Sequence, residues 1–89
     1  MSHTHRSILE TEHPRLAESI ARATAAGFND HEIAEYMRIR EELLADWERR
    51  GRNETGPTPW RYYYLLRKMA RAAFVAKMLK QVSKRYEKS

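Results

Sequence analysis

The sequence has little of several features that mark particular classes of protein. It contains no cysteine, which excludes disulfides and thiolate chemistry and suits a reducing, cytoplasmic compartment. No apolar run approaches the ~20 residues of a membrane span, so we expect a soluble protein without membrane contacts. No glycine-rich phosphate loop and no histidine cluster with metal-ligand spacing occurs. The sequence therefore predicts neither an enzyme nor a bound metal or cofactor.

Charge is distributed unevenly along the chain, whose formal net charge is +5. Residues 1–56 contain 8 Lys or Arg and 11 Asp or Glu, a net charge of −3. Residues 57–89 contain 9 Lys or Arg and one acid, Glu87, a net charge of +8. A basic segment of this density is typical of a surface that binds a polyanion, although it also suits a charge match within the molecule or a solvated helix.

Hydrophobic periodicity predicts an all-α fold, a small domain of three or four helices with a long basic C-terminal helix. Residues 1–11 lack periodicity and are expected to form a flexible arm, from which Ile8 and Leu9 could fold back on the core. Residues 12–89 are expected to form one helical domain, with helices over about 12–26, 30–50 and 58–86. Glycines and prolines between Gly51 and Trp60 predict a loop there. The last helix would be ~42 Å long, which is more than the core of so small a domain needs.

Three signals mark where helices end and begin. Gly27 suits the left-handed position that follows a helix. Asn29 and Glu32 have the spacing of a capping box at the start of the next helix. Thr58 and Pro59 are typical of a cap and first turn, and they predict the start of the last helix.

Residues 30–50 have two interpretations. In the first they form one continuous helix, because Tyr36, Arg40, Leu43 and Trp47 fall in a single arc at about 100° per residue. In the second the chain bends at Arg38. The phrase "AAGFNDHEIAEYM" and the apolar residues that follow it resemble homeodomain-like helix-turn-helix proteins, such as the N-terminal domains of phage terminase small subunits, over residues 16–50. That resemblance implies a recognition helix from Arg40 to Arg50 that lies in the major groove of DNA.

The basic last helix carries the main functional prediction. A phosphate backbone attracts positive charge regardless of shape, whereas the carboxylates of Glu41, Glu42 and Asp46 make the preceding segment a poor phosphate contact. The predicted nucleic-acid contacts are therefore Arg61, Arg67, Lys68, Arg71, Lys77, Lys80 and Lys84, joined by Arg38, Arg40 and Arg50 if the chain bends. The aromatic run Trp60, Tyr62, Tyr63 and Tyr64 could stack on unpaired bases or anchor a core or interface.

A second feature of the same helix is an apolar stripe whose spacing alternates between four and three residues. This stripe, here called the seam, consists of Leu65, Met69, Ala72, Ala76 and Leu79. Such spacing is typical of a helix that packs along another helix. We expect the first half of the seam to pack within the molecule. Beyond about Ala76, self-association or a partner helix becomes a competing hypothesis, and Trp60 is a further predicted interface residue.

Taken together, these patterns favour a small nucleic-acid-binding accessory or regulatory protein, of the kind that phages and mobile elements encode, which docks mainly through its basic C-terminal helix. The alternative hypothesis is a helical protein-binding adaptor or inhibitor that grips an acidic partner surface.

Overall fold

The computed structural model describes residues 8–87, and their side chains as far as Lys84. Within that range the chain forms helices α1 (Ile8–Thr11), α2 (Arg15–Ala25), α3 (Asp30–Met37), α4 (Glu41–Asn53) and α5 (Pro59–Glu87), and no strand. The predicted all-α fold with a long C-terminal helix is confirmed.

The core lies where α5 packs against both α2 and α4. One face of α5 supplies Trp60, Tyr63, Arg67 and Ala70 to it, at the three- and four-residue spacing of a helix face. Leu9, Ile20, Ile33, Leu44 and Trp47 meet this face and are almost fully buried. The core is thus built around the first half of α5, which makes the most extensive contacts with both α2 and α4.

The predicted helix boundaries around Gly27 and Thr58 are confirmed. Gly27 follows α2 with a φ of +100°, a conformation that costs a residue without a side chain little. The Asn29 side chain accepts a hydrogen bond from the Glu32 N–H across 2.8 Å, and the Glu32 carboxylate accepts one from the Asn29 N–H across 2.9 Å. The Thr58 hydroxyl accepts a hydrogen bond from the Arg61 N–H across 3.1 Å at the start of α5.

The chain bends at Arg38, so the interpretation of residues 30–50 as one continuous helix is wrong. Arg38 adopts a left-handed conformation, with φ 58° and ψ 45°, and ends α3. The Ile39 N–H then donates a hydrogen bond to the Ala34 carbonyl oxygen across 3.0 Å, as in a Schellman ending. As a result Tyr36, which a straight helix would place in the apolar arc, is 83% exposed.

Two other predicted boundaries differ from the structure. Ile8–Thr11 is helical and Leu9 is fully buried, so the end of the predicted arm belongs to the fold, while residues 1–7 lie outside the described residues. Helix α4 continues through Gly51 to Asn53, which shortens the predicted loop. Gly51 is buried, and a Cβ added there would lie 2.7 Å from the Tyr64 Cβ and overlap the Trp60 carbonyl. The glycine therefore permits close contact between two helices instead of ending one.

The second half of α5 extends beyond the rest of the molecule. The structure measures 67 × 29 × 19 Å along its principal axes. Phe74 is the last partly buried residue of α5 within residues 59–84, and residues 75–84, here called the projecting segment, are all exposed. No helix within residues 8–87 combines the length and the apolar character that crossing a membrane requires.

Candidate nucleic-acid interface

Arg67 was predicted to contact phosphate, and the structure shows that this prediction is wrong. Its side chain is only 1% exposed. The guanidinium donates hydrogen bonds to the Thr24 hydroxyl at 3.1 Å, the Tyr63 hydroxyl at 3.2 Å and the Asp30 carboxylate at 2.7 Å. Burial opposes the charge, yet the bonds to Asp30 and Tyr63 outweigh it and raise the pKa of Arg67 above its ordinary value. Arg67 is thus a structural cation that joins α5 to α2 and α3.

Trp60 and Tyr63 are also unavailable to nucleic acid or to a partner protein, because both are buried in the core. The Tyr63 hydroxyl donates a hydrogen bond to the Leu44 carbonyl oxygen across 2.9 Å, and its ring meets Trp47 edge to face at 5.7 Å. Burial raises the pKa of Tyr63 to about 12. The prediction of Trp60 as an interface residue is therefore wrong, and base stacking by Trp60 or Tyr63 is excluded.

Five of the ten arginines of the body, residues 8–74, are paired with carboxylates. Arg71 makes a bidentate pair with Glu48, with N–O distances of 3.0 and 2.7 Å. Arg50 bonds Glu54 across 2.7 Å and stacks 3.4 Å above the Trp60 ring. These arginines remain partly exposed, but much of their charge is neutralised locally.

The bend at Arg38 brings three of the predicted contacts to one groove. Arg38, Arg40 and Arg50 line a groove of about 610 Å³ between the bend and the start of α5. Its floor is apolar and includes Ile39 and Leu43. Arg40 lies 3.8 Å from the Glu42 carboxylate, and Asp46 also lines the groove. The groove is basic on balance, although acids lie beside two of its three arginines.

Arg61 and Lys68 form a second basic strip on α5. Both cations lie near the Tyr64 ring, at 5.4 Å (Arg61) and 6.0 Å (Lys68) from its centroid. Arg61 also donates a hydrogen bond to the Gly51 carbonyl oxygen across 3.2 Å, which holds its guanidinium against the C-terminal end of α4. A cation at that end is favoured by the helix dipole.

The projecting segment has one basic side and one apolar side. Lys77, Lys80 and Lys84, here called the distal lysines, follow one another at three and four residues and share a side of the helix. Within residues 8–84 no ion pair involves a lysine. The other side presents exposed apolar residues at helical spacing: Val75, Met78, Leu79 and Val82. Of these four residues only Leu79 belongs to the seam, although all four have helical spacing in the sequence.

The seam does not contribute to the core, and the prediction that its first half packs within the molecule is wrong. Leu65 is 41% exposed, Met69 67% and Leu79 64%, and Ala72 and Ala76 are exposed as well. At about 100° per residue the seam lies roughly opposite the face formed by Trp60, Tyr63, Arg67 and Ala70. The structure therefore leaves the seam as an uncovered apolar surface along the outside of α5.

Acidic and polar residues complete the interior and surface networks that sequence reasoning missed. Glu48 pairs with Arg71 and lies 3.7 Å from Arg67, and Asp30, in the first turn of α3, makes the shortest hydrogen bond to Arg67. No group of His, Asp or Glu suited to a metal ion occurs in the part of the chain that the structure describes.

Comparison with family models, with curated proteins and with solved structures found no match for this chain.

Proposed function

We propose that this protein is a nucleic-acid-binding accessory or regulatory protein that docks through the projecting segment of α5. The observation that carries the proposal is the set of distal lysines, Lys77, Lys80 and Lys84, exposed on one side of a helix that extends away from the body. The projecting segment contains no acidic residue. Affinity for a phosphate backbone depends on positive charge that is not already neutralised, because binding releases the counterions of the nucleic acid.

Two further basic surfaces supply secondary contacts in this proposal. One is the groove lined by Arg38, Arg40 and Arg50, and the other is the strip of Arg61 and Lys68 around Tyr64. The bend at Arg38 is compatible with the helix-turn-helix resemblance, which remains part of the proposal. Glu41 and Glu42, in the first turn of α4, favour a supporting role for that helix because they would repel phosphate.

The test compares two triple variants that lose the same net charge. The first is Lys77→Gln, Lys80→Gln, Lys84→Gln, in which glutamine keeps the helix propensity of lysine. The matched control is Arg15→Gln, Arg22→Gln, Arg52→Gln, which alters exposed arginines of the body. Binding to duplex DNA, single-stranded DNA and RNA is measured by fluorescence anisotropy at several salt concentrations.

For duplex DNA we expect the lysine variant to lower the slope of log K against log salt by about 2–3, since each lost phosphate contact contributes about 0.9. The control should leave the slope within about 1 of the unchanged protein. An equal fall in both variants would mean that net charge alone drives binding. Absence of binding by the full chain at low salt would reject the proposal.

A protein-binding adaptor is the second candidate function. It is favoured by Val75, Met78 and Val82, which expose apolar surface on the side of the helix away from the distal lysines. A helix with one apolar and one basic side suits an amphipathic groove with an acidic rim. This candidate predicts no measurable nucleic-acid binding even at low salt, so the same titration distinguishes the two functions.

A further inference from the structure

We propose that a second copy of this chain covers the seam, through an antiparallel pair of α5 helices centred near Phe74. In this arrangement the projecting segment of each copy lies along residues 59–74 of the other copy's α5, on the side that carries the seam. This inference is independent of nucleic-acid binding, because it rests on apolar surface and not on charge.

The surface itself has the properties of a helix-pairing face. The seam keeps its four-three spacing over 15 residues from Leu65 to Leu79, contains no charged residue and is exposed at all five positions. Ala72 and Ala76 lie at its centre, and side chains this small allow a second helix to approach closely. Exposed apolar surface that continues along a helix at this spacing is typical of an interface.

The length of α5 fits an antiparallel arrangement. Phe74 lies 15 residues after Pro59 and 13 residues before Glu87, close to the middle of the helix. Two helices that cross antiparallel at this point bring Ala72 opposite Ala76 of the second copy, and Met69 opposite Leu79 of the second copy. The pairing thus places small residues in the central layers and large residues in the layers on either side.

Charge favours the antiparallel over the parallel arrangement. In a parallel pair the two Lys80 side chains lie at the same level of helices whose axes are ~8–10 Å apart. In the antiparallel pair they are separated along the axis by about 12 residues, or ~18 Å. The Debye length at physiological salt is ~8 Å, so the second arrangement removes most of the repulsion. It places each set of distal lysines beside the body of the other copy, whose residues 8–74 contain 11 Lys or Arg and 11 Asp or Glu and are therefore neutral overall.

The area buried in such a contact indicates whether the dimer is permanent or dissociates on dilution. An overlap of ~20 residues is ~30 Å long, and covering somewhat less than half of each helix circumference buries on the order of 1,000 Å² in total. Stable protein interfaces bury about 1,200–2,000 Å². We therefore expect a dimer that dissociates on dilution rather than a permanent one.

The first experiment measures mass in solution by sedimentation equilibrium over a range of concentrations. The full chain should show a monomer–dimer equilibrium, and Ala76→Glu should raise the dimer Kd at least tenfold because it buries a carboxylate in the central layer. Gln81→Glu is the matched control, since it adds the same charge on the same helix away from the seam, and it should change Kd less than about twofold. Equal helicity by circular dichroism shows that both variants are folded. A full chain that stays monomeric at every concentration overturns the proposal and leaves the seam to a different partner.

The second experiment determines helix direction by oxidative cross-linking. Because the chain has no cysteine, introduced thiols react without background. The double variant Met69→Cys, Leu79→Cys should form a covalent dimer under oxidation, because the two positions face each other between antiparallel copies. The single variant Leu79→Cys should form little covalent dimer, because the two thiols are far apart in the antiparallel arrangement. Efficient cross-linking of the single variant would indicate a parallel pair and contradict the proposed arrangement.

Discussion

Arg67 places a positive charge at the point where α2, α3 and α5 meet. A buried charge is stabilising only when hydrogen bonds and an opposite charge replace the water that it has lost. Here Thr24, Tyr63 and Asp30 provide three such bonds from different parts of the fold. The bonds also saturate the Tyr63 hydroxyl, which donates to Leu44 while it accepts from Arg67.

We expect Arg67→Met to lower the free energy of unfolding by about 3 kcal/mol, because the substitution removes the hydrogen-bond donor to two buried hydroxyl groups and the cation that Asp30 binds. Methionine keeps much of the volume of the side chain, so the loss reflects polar groups and not a cavity. Urea denaturation followed by circular dichroism measures the change.

Arg71→Met is the matched control for that measurement. It removes a cation one helical turn away whose side chain is 45% exposed and whose partner is Glu48. An exposed ion pair contributes little, so we expect a loss below about 1 kcal/mol. Equal losses in the two variants would contradict a special role for the buried network.

At the scale of the elements, the connection between α3 and α4 depends on one residue in a left-handed conformation. Arg38 has a Cβ, and the left-handed conformation costs such a residue about 1–2 kcal/mol. Glycine would avoid that cost but loses ~0.5–1 kcal/mol more chain entropy on folding. Arg38→Gly should therefore raise the free energy of unfolding by roughly 0.5–1 kcal/mol.

Arg40→Gly is the control for the bend, because Arg40 has an extended backbone, with φ −74° and ψ 136°, that any residue adopts readily. That variant loses the same charge and gains no relief of strain, so we expect it to be destabilised by ~0.5–1 kcal/mol. Chemical denaturation of both variants tests whether the free energy of unfolding rises for Arg38→Gly and falls for Arg40→Gly. Destabilisation by Arg38→Gly would contradict the left-handed turn.

The bend also shows which features of this fold could be predicted from the sequence. The stop at Gly27 and the start at Asn29 were predictable because each uses a residue whose side chain, or lack of one, determines the backbone locally. The break at Arg38 has no such residue. It depends instead on contacts between elements, since Ile33 and Ala34 of α3 and Leu44 of α4 are buried together in one core cluster.

The two faces of α5 are a second feature that could not be predicted from the sequence. A regular four-three repeat made the seam the obvious candidate for the packed face, yet the core uses a face that contains an arginine and two large aromatic residues. The sequence predicted Arg67 as a phosphate contact because it is a cation that lies off the seam. The partners that make its burial favourable come from residues 37 and 43 positions earlier in the chain, a distance over which helical periodicity carries no information.

At the scale of the whole molecule, charge and apolar surface are separated. Half of the arginines of the body are paired with acids, while the projecting segment has an apolar side and lysines that form no ion pair within residues 8–84. The two proposed interactions of α5 therefore have different physical origins. Nucleic-acid binding is electrostatic and weakens as salt rises. Pairing of α5 helices buries apolar surface between copies that each have a net charge of +5, so added salt should strengthen it by screening their repulsion.

Because the two interactions respond to salt in opposite directions, both can be measured in the same protein as salt is varied. Between ~0.05 and ~0.5 M salt we expect the dimer Kd to fall by a few fold, while the Kd for duplex DNA rises steeply. Sedimentation equilibrium measures the first change and fluorescence anisotropy the second. The Ala76→Glu variant should remove the dimer and give the same salt slope for DNA as the Gln81→Glu control, because each variant adds one carboxylate within a turn of the distal lysines. A dimer that dissociates as salt rises would mean that opposite charges hold the copies together, since a contact of alanine, leucine and methionine side chains has no charge for salt to screen.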